Sequence, residues 1–352
     1  MLRWFAPKSR ATAPHVAAAA LAVSLVVSAQ TPQRPPGFTE RVDVARIIVD
    51  ARVVDADGSP MLGLRADDFS VKIDGKPARV DSAAWIGGEA QPDQRTLDSV
   101  RTVDSASSPQ AGRLIVFLFQ KSLEPSRIIG LMRMLHEGRQ FLNTLAPDDR
   151  IAILSFDSHL SIWTDFTNDR ARLDPVLERG LLLERPPAVQ AATRHSLVER
   201  LAPAKGRRTY SIEKTLQVVA EALEPLPGPK SIVLFGYGMG RLGWGGVTME
   251  HDYDPARRAL LAARASVFSL DVTDADYHSL EAGLQLISEE TGGFYSRTHL
   301  FPALAMRRLG AALAGSYVLF VEKPESRPRT HTIDVELTRR KGTVMARNSY
   351  EG

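Results

Sequence analysis

Leu114-Ile115-Val116-Phe117-Leu118-Phe119, followed by Gln120-Lys121-Ser122-Leu123-Glu124, is the stretch on which the reading of this chain turns. Six apolar residues without a polar break suit a strand covered on both faces, as strands of a parallel sheet are. Pro125 then opens a helical pattern, with Ile128, Ile129, Met132, Leu135, Leu142 and Leu145 recurring on one face until Pro147-Asp148-Asp149 stops it. The alternation continues. Strands are expected at Ile151 to Phe156, Ser231 to Phe235, Ser266 to Leu270 and Gly293 to Ser296, with an edge arm at Leu160 to Phe166. Helices are expected at Asp169 to Leu182, Ile212 to Leu223, Pro255 to Arg264, His278 to Glu290 and Phe301 to Ala314. Strands alternating with helices predict an α/β, Rossmann-like fold with a mostly parallel central sheet flanked by helices. Glu184 to Arg208 is rich in proline and charge, with an irregular helix expected over Gln190 to Leu201.

Both flanks of this region read as β. Before it, Val42 to Val54, Phe69 to Ile73 and Val80 to Ile86 favour strands, separated by the turn sequences Asp55-Ala56-Asp57-Gly58 and Asp74-Gly75-Lys76. After it come Tyr317 to Glu322, His331 to Thr338 and Thr343 to Arg347. Neither flank has strands enough for two packed layers, so the segments 42–86 and 316–352 are expected to fold together into one sandwich. Residues 87–112, dominated by Gly, Ser, Gln, Asp and Pro, read as a linker.

The N-terminus bears on location. Arg3, Lys8 and Arg10 precede an apolar run from Val16 to Val27, and Val27-Ser28-Ala29 resembles a cleavage site. That run is shorter than the roughly 20 residues a bilayer span needs. Residues 1–29 are therefore expected to be a signal peptide and 30–41 an extended tether. The mature chain would be exported, periplasmic or extracellular, with no transmembrane segment. The chain has no cysteine, which excludes disulfides, thiol chemistry and a lipid-modified N-terminal cysteine. Its net charge of +3 falls to zero once the three basic residues of the leader are removed. Nucleic acid is a poor partner for such a chain.

Four landmarks, in order, carry a resemblance: Val49 to Phe69 with Asp55-Ala56-Asp57-Gly58 and Leu64-Arg65-Ala66-Asp67-Asp68-Phe69; Leu226 to Phe235; Thr291-Gly292-Gly293; and Ser316-Tyr317-Val318-Leu319-Phe320. Together they resemble the secreted bacterial VWFA-related domain proteins. The resemblance implies a von Willebrand factor type A domain over Arg113 to Gly315, a fold whose better-known members bind ligands through a metal held at the carboxyl edge of the sheet. That metal-ion-dependent adhesion site uses an Asp-x-Ser-x-Ser loop, a threonine and a further aspartate. Matched onto this chain, the first aspartate is Gln120, the serines are Ser122 and Glu124, the threonine is Thr209 or Ser211, and the last aspartate falls at Tyr237.

Two anionic anchors have thus become an amide and a phenol, and Lys121 adds a positive charge. Ser122, Glu124 and Thr209 are what remains of a degenerate metal site. The expectation is an edge without a cofactor, Mg²⁺ staying open as an alternative. Gln120, Ser122, Glu124, Thr209, Ser211, Tyr237 and Trp244 would form a partner-binding edge for a protein or cell-surface ligand.

Rival chemistry finds less support. Gly238-Met239-Gly240-Arg241-Leu242-Gly243 spells a dinucleotide fingerprint, but it runs into Trp244-Gly245-Gly246 instead of opening a helix. It reads as a mobile glycine-rich loop. The eight histidines show no metal-ligand pair on a helix face. Asp271 and Asp274 read as loop or cap residues, and no catalytic constellation stands out. The reading is therefore a non-enzymatic interaction module, the alternatives being an envelope assembly scaffold and a hydrolase using Glu124 or Asp271 as base.

Overall fold

The computed structural model describes residues 45–87, 112–191, 195–201, 206, 208–324 and 328–352. The expected signal peptide, tether and nearly all of the linker lie outside these described residues.

The first β segment supplies β1 (Arg46–Val54), β2 (Phe69–Ile73), β3 (Lys76–Ala78) and β4 (Val80–Gly87). Between β2 and β3 the chain reverses at Asp74 and Gly75, whose φ values of 50° and 75° are the left-handed pair that a tight hairpin requires. The α/β region contributes β5 (Leu114–Gln120), helix α1 (Pro125–Leu142), β6 (Arg150–Phe156) and β7 (Leu160–Thr167). The helix α2 (Arg170–Pro175) follows.

The expected single helix over Asp169 to Leu182 is broken. Pro175 ends the α-helical part, a π turn covers Val176–Gly180, and a short helical turn at Leu181–Leu183 completes it. Proline in a helix interior removes a backbone donor, which accounts for the break. Residues 195–201 form turns where the sequence suggested an irregular helix. They are fixed by Asp165, a buried carboxylate that accepts from the Ser196 hydroxyl (2.5 Å) and the Leu197 amide (2.8 Å).

Beyond this come α3 (Ile212–Leu223), β8 (Lys230–Gly236), a small hairpin of β9 (Arg241–Gly243) and β10 (Gly246–Thr248), α4 (Tyr253–Ala262), β11 (Ala265–Asp271), α5 (Glu281–Glu290), β12 (Tyr295–Arg297) and α6 (Pro302–Leu313). The last segment returns to β with β13 (Gly315–Glu322), β14 (Thr330–Leu337), β15 (Thr343–Ala346) and β16 (Ser349–Glu351).

The central sheet runs β12-β11-β8-β5-β6-β7, all parallel except β7, which pairs antiparallel with β6. Every residue of β5, β8 and β11 is buried. In β5 the alternation is split between two cores: Leu114, Val116 and Leu118 pack on one face, Ile115, Phe117 and Phe119 on the other. This is why the strand reads as an unbroken apolar run.

The flanking segments do fold together. β13 lies between β1 and β4, β15 pairs with β1, and β14 pairs with β2 and β16. Side chains from both four-stranded sheets share one core, centred on Tyr317. Its ring meets Phe69 and Trp85 edge-on at 5.4 and 5.1 Å, while its hydroxyl accepts from the Leu64 amide and donates to the Met61 carbonyl.

This sandwich docks through β1 on the amino ends of the central strands. The buried Arg52 donates to Ser266 Oγ (2.8 Å) and Ser231 Oγ (3.3 Å), and Asp50 grips Arg264 with both oxygens. Burial draws the Arg52 guanidinium down to about 10, against the opposing pull of Asp50. With the amino ends covered, the loops at the carboxyl ends of β5, β6 and β8 stay available.

Candidate functional site

β5 and β8 are neighbours in space, while the chain reaches β8 only after β6 and β7 have been laid on the far side of β5. Numbered by order in this sheet, the strands run 3-2-1-4-5-6, with a topological switch point between the first and fourth. Ligands of open α/β sheets favour the crevice outside the carboxyl ends there. Gln120 ends β5 at this point and Tyr237 follows β8.

The two are joined directly. The buried Gln120 side chain accepts the Tyr237 amide through Oε1 at 3.0 Å. Over the Tyr237 ring, at 4.1 Å, lies the guanidinium of Arg127, which also pairs with Glu124 at 3.0 Å. Burial raises the Tyr237 phenol above its usual range, with the nearby Arg127 opposing. Lys121 approaches Asp157 at 4.0 Å and the Trp163 ring at 5.9 Å. Glu124 and Tyr237, two of the positions matched to the metal site, are therefore organised around a cation of the chain itself, Arg127.

The hydroxyls are committed as well. Ser122 Oγ accepts the Glu124 amide (3.2 Å). Thr209, at 0% exposure, donates to the Gly206 carbonyl (2.8 Å) and accepts from the Leu160 amide (2.9 Å), so it fastens its loop to the turn after β6. Ser211 caps α3 by accepting from the Lys214 amide (3.0 Å). Octahedral Mg²⁺ asks for several oxygen donors with lone pairs to spare and net negative charge. The residues present do not fit it: the amide and hydroxyl oxygens already accept hydrogen bonds, and Glu124 is answered by Arg127.

Two neighbours were not legible as part of this edge. Glu213, buried in the first turn of α3, accepts the Gly240 amide at 2.7 Å and ties the loop after β8 to the helix. Burial raises its pKa, with the hydrogen bonds opposing. The glycine-rich loop itself holds a short hairpin that the sequence did not announce. β9 and β10 pair in register from Arg241↔Thr248 to Gly243↔Gly246, with Trp244 and Gly245 at the turn. Trp244 is fully exposed (107%), as are Tyr210 (80%) and Leu123 (89%) on the adjoining loops.

A second constellation sits at the carboxyl ends of β11 and β12. Asp271, 2% exposed, accepts from His278 Nε2 (2.7 Å), the Tyr295 hydroxyl (2.8 Å) and the Thr273 amide (2.9 Å). Tyr295 also reaches Glu281 at 3.0 Å, and Arg297 grips Glu281 with two nitrogens, at 2.9 and 2.6 Å. Asp271, His278 and Glu281 each bring one potential ligand atom within 4.8 Å of the others. That grouping revises the reading of the histidines as scattered: His278, in the loop before α5, lies three residues from Glu281 in the helix's first turn, and this closeness was its only sequence signal.

Arg297 already supplies the positive charge that Glu281 needs. Burial pushes Asp271 upward, but the hydrogen bonds from His278, Thr273 and Tyr295 outweigh it and leave the carboxyl below its ordinary range. The Arg297 hydrogen bonds lower Glu281 likewise. A carboxylate held ionised in this way is a weak base. Asp274 pairs with Arg133 at 3.2 Å.

No protein-family model matches the chain, and no curated protein does. Solved structures similar to it include a von Willebrand factor type A protein from Catenulispora acidiphila, at 10% identity over 83% of this chain and 74% of that one, with a TM-score of 0.42. The manganese-loaded TRAP protein of Plasmodium vivax is 11% identical over 68% and 94%, with a TM-score of 0.37. An aerotolerance-related membrane protein from Bacteroides fragilis is 14% identical over 57% and 98%, with a TM-score of 0.38. Scores of this size carry no argument alone. The strand order 3-2-1-4-5-6, its antiparallel third strand and the helices on both faces do. The central domain has the doubly wound, mostly parallel α/β architecture that the type A resemblance implies. Among the described residues, no helix is long and apolar enough to cross a membrane.

Proposed function

We propose that this chain is an exported member of the VWFA-related proteins and a non-enzymatic interaction module whose type A domain binds a protein ligand without a metal. The observation that carries the reading is the clasp at the switch point. Arg127 and Lys121 stand beside Glu124, Tyr237 and Asp157, where a cation-dependent edge would need unanswered oxygen donors. The remaining metal residues, Ser122, Glu124 and Thr209, serve local structure on this reading. Mg²⁺ is not required.

Three exposed residues around the clasp supply the contact chemistry: Leu123, Tyr210 and Trp244. Aromatic anchors ringed by polar groups are what binding surfaces concentrate, and a large exposed tryptophan on a tethered hairpin has little to do for the fold. Residues 42–86 and 316–352 serve as the base that covers the opposite end of the sheet. Enzymatic use of Glu124 or Asp271 finds no support, since Glu124 is paired at the surface and Asp271 is held ionised within its own network.

The test places a photo-crosslinking amino acid at Val247 of the hairpin in cells producing the full chain. Discrete crosslinked products that persist in EDTA and vanish in the Leu123→Ala, Tyr210→Ala, Trp244→Ala triple variant are expected. Products unchanged by the triple variant would sink the assignment of the edge. Micromolar Mg²⁺ or Mn²⁺ binding by calorimetry, with crosslinking lost in EDTA, would sink its metal independence.

A further inference from the structure

A groove of about 660 Å³ opens away from this edge, at the side of the central sheet. Its lining includes Gln285 and Glu289 of α5, all of β12, Arg308 of α6 and all of β15. β12 is the terminal strand of the central sheet and β15 the terminal strand of one sandwich sheet. Two open sheet edges therefore border one space. They meet at one end, where Thr291 bridges to Arg347.

The ladder fixes which backbone groups face the groove. Ser269 donates to the Phe294 carbonyl (2.9 Å) and Thr298 donates to the Asp271 carbonyl (3.2 Å). Residues 294, 296 and 298 thus turn their backbone groups toward β11. In a parallel ladder the intervening residues must point the other way, so the N–H and C=O of Tyr295 and Arg297 face outward. An edge of this kind can template an added strand.

Charge supplies the second indication. The Arg308 guanidinium lies over the Phe294 ring at 4.2 Å, and among the described residues no carboxylate forms an ion pair with it. Burial alone draws its pKa down. The other charged side chains lining the groove are engaged: Arg297 by Glu281, and Glu289 by the Gln285 amide at 2.7 Å.

We propose that the groove receives an extended segment of a partner protein, which adds to β12 as a seventh strand and sets an acidic side chain on Arg308. Backbone hydrogen bonds would give affinity and the carboxylate would choose the register, the usual division in β-strand addition. The three residues of β12 span roughly 10 Å, so the strand formed would be short. A charge contact then matters more to specificity than it would on a long edge.

The probe is the blocked peptide acetyl-Ser-Val-Thr-Glu-Val-Thr-Ser-amide, fluorescently labelled and titrated with the full chain. Saturable binding is expected, weakened about tenfold by Arg308→Gln or by exchanging the peptide's glutamate for glutamine, and equally by both together. N-methylation of alternate peptide amides should abolish binding in one phase and spare it in the other. Hydrogen exchange at the Tyr295 and Arg297 amides should slow when the peptide binds. The Leu123, Tyr210 and Trp244 triple variant should bind the peptide as the native chain does, so this proposal and the carboxyl-edge reading fail separately. No saturation at millimolar peptide, binding indifferent to both N-methyl phases, or protection outside β12 would each overturn it. So would an Arg308-dependent dimer of the chain itself, which would make a second copy the occupant.

Discussion

The carboxyl rim of the central sheet carries two charged constellations, one over β5 and β8, the other over β11 and β12, and they differ in access to water. Over β5 and β8 the charges of Lys121, Glu124 and Arg127 are part of an open surface. Over β11 and β12, Asp271 and Glu281 are buried and every partner is supplied from within the chain. Charge alone marks neither as functional. A paired cluster whose carboxylates are buried holds elements together, whereas an exposed one beside exposed apolar side chains can change partners.

The largest effect that could break this contrast is in the sealed cluster. Asp271→Ala should cost about 3–5 kcal/mol by urea denaturation, because it leaves His278, the Tyr295 hydroxyl and the Thr273 amide without the buried acceptor they share. A loss below about 1 kcal/mol would show that the network is not structural. The same cluster predicts acid sensitivity. Asp271 and Glu281 have folded-state pKa values below their ordinary values of 3.8 and 4.5. The folded protein therefore binds fewer protons than the unfolded chain, and stability rises with pH across that window. Their contribution should be complete above the ordinary carboxylate range and lost as pH falls through the depressed values, and Asp271→Asn should flatten that limb.

A smaller loss is expected over β5 and β8. Gln120→Ala strands the Tyr237 amide and should cost about 1–3 kcal/mol, while Gln120→Glu keeps an acceptor in place and should recover most of it. Equal losses in the two variants would mean that the bond to Tyr237 is not what matters. At the small end, Trp244→Ala should leave stability within about 0.5 kcal/mol of the native chain, measured by thermal melts, while removing the crosslinked partner. A clear drop in melting temperature would instead make Trp244 a packing residue.

Much of the architecture was legible because burial leaves a mark on sequence. A strand covered on both faces has to be apolar throughout, as Leu114 to Phe119 is, and helix α3 runs over Ile212 to Leu223 as its pattern predicted. The break at Val176 was less visible, since Pro175 fits a helix end as well as an interruption. Of the site residues, Gln120 and Tyr237 were assigned to one edge by resemblance, while the hydrogen bond that joins them is visible only in the structure. Thr209 could not be recognised from sequence as a structural clamp, because its partners, Leu160 and Gly206, lie in another loop and at its own turn.

The sequence by itself determined the alternation of strands and helices and the β-rich flanks. These follow from local rules: periodicity, turn chemistry and the identity of single residues. Only the tertiary structure decided that Arg127 lies between Glu124 and Tyr237, that Asp271 joins His278 and Glu281, and that β12 and β15 border one groove. Each of those depends on the strand order, which brings residues far apart in the chain to within hydrogen-bond distance, and pairwise geometry of that kind leaves no periodic trace in sequence.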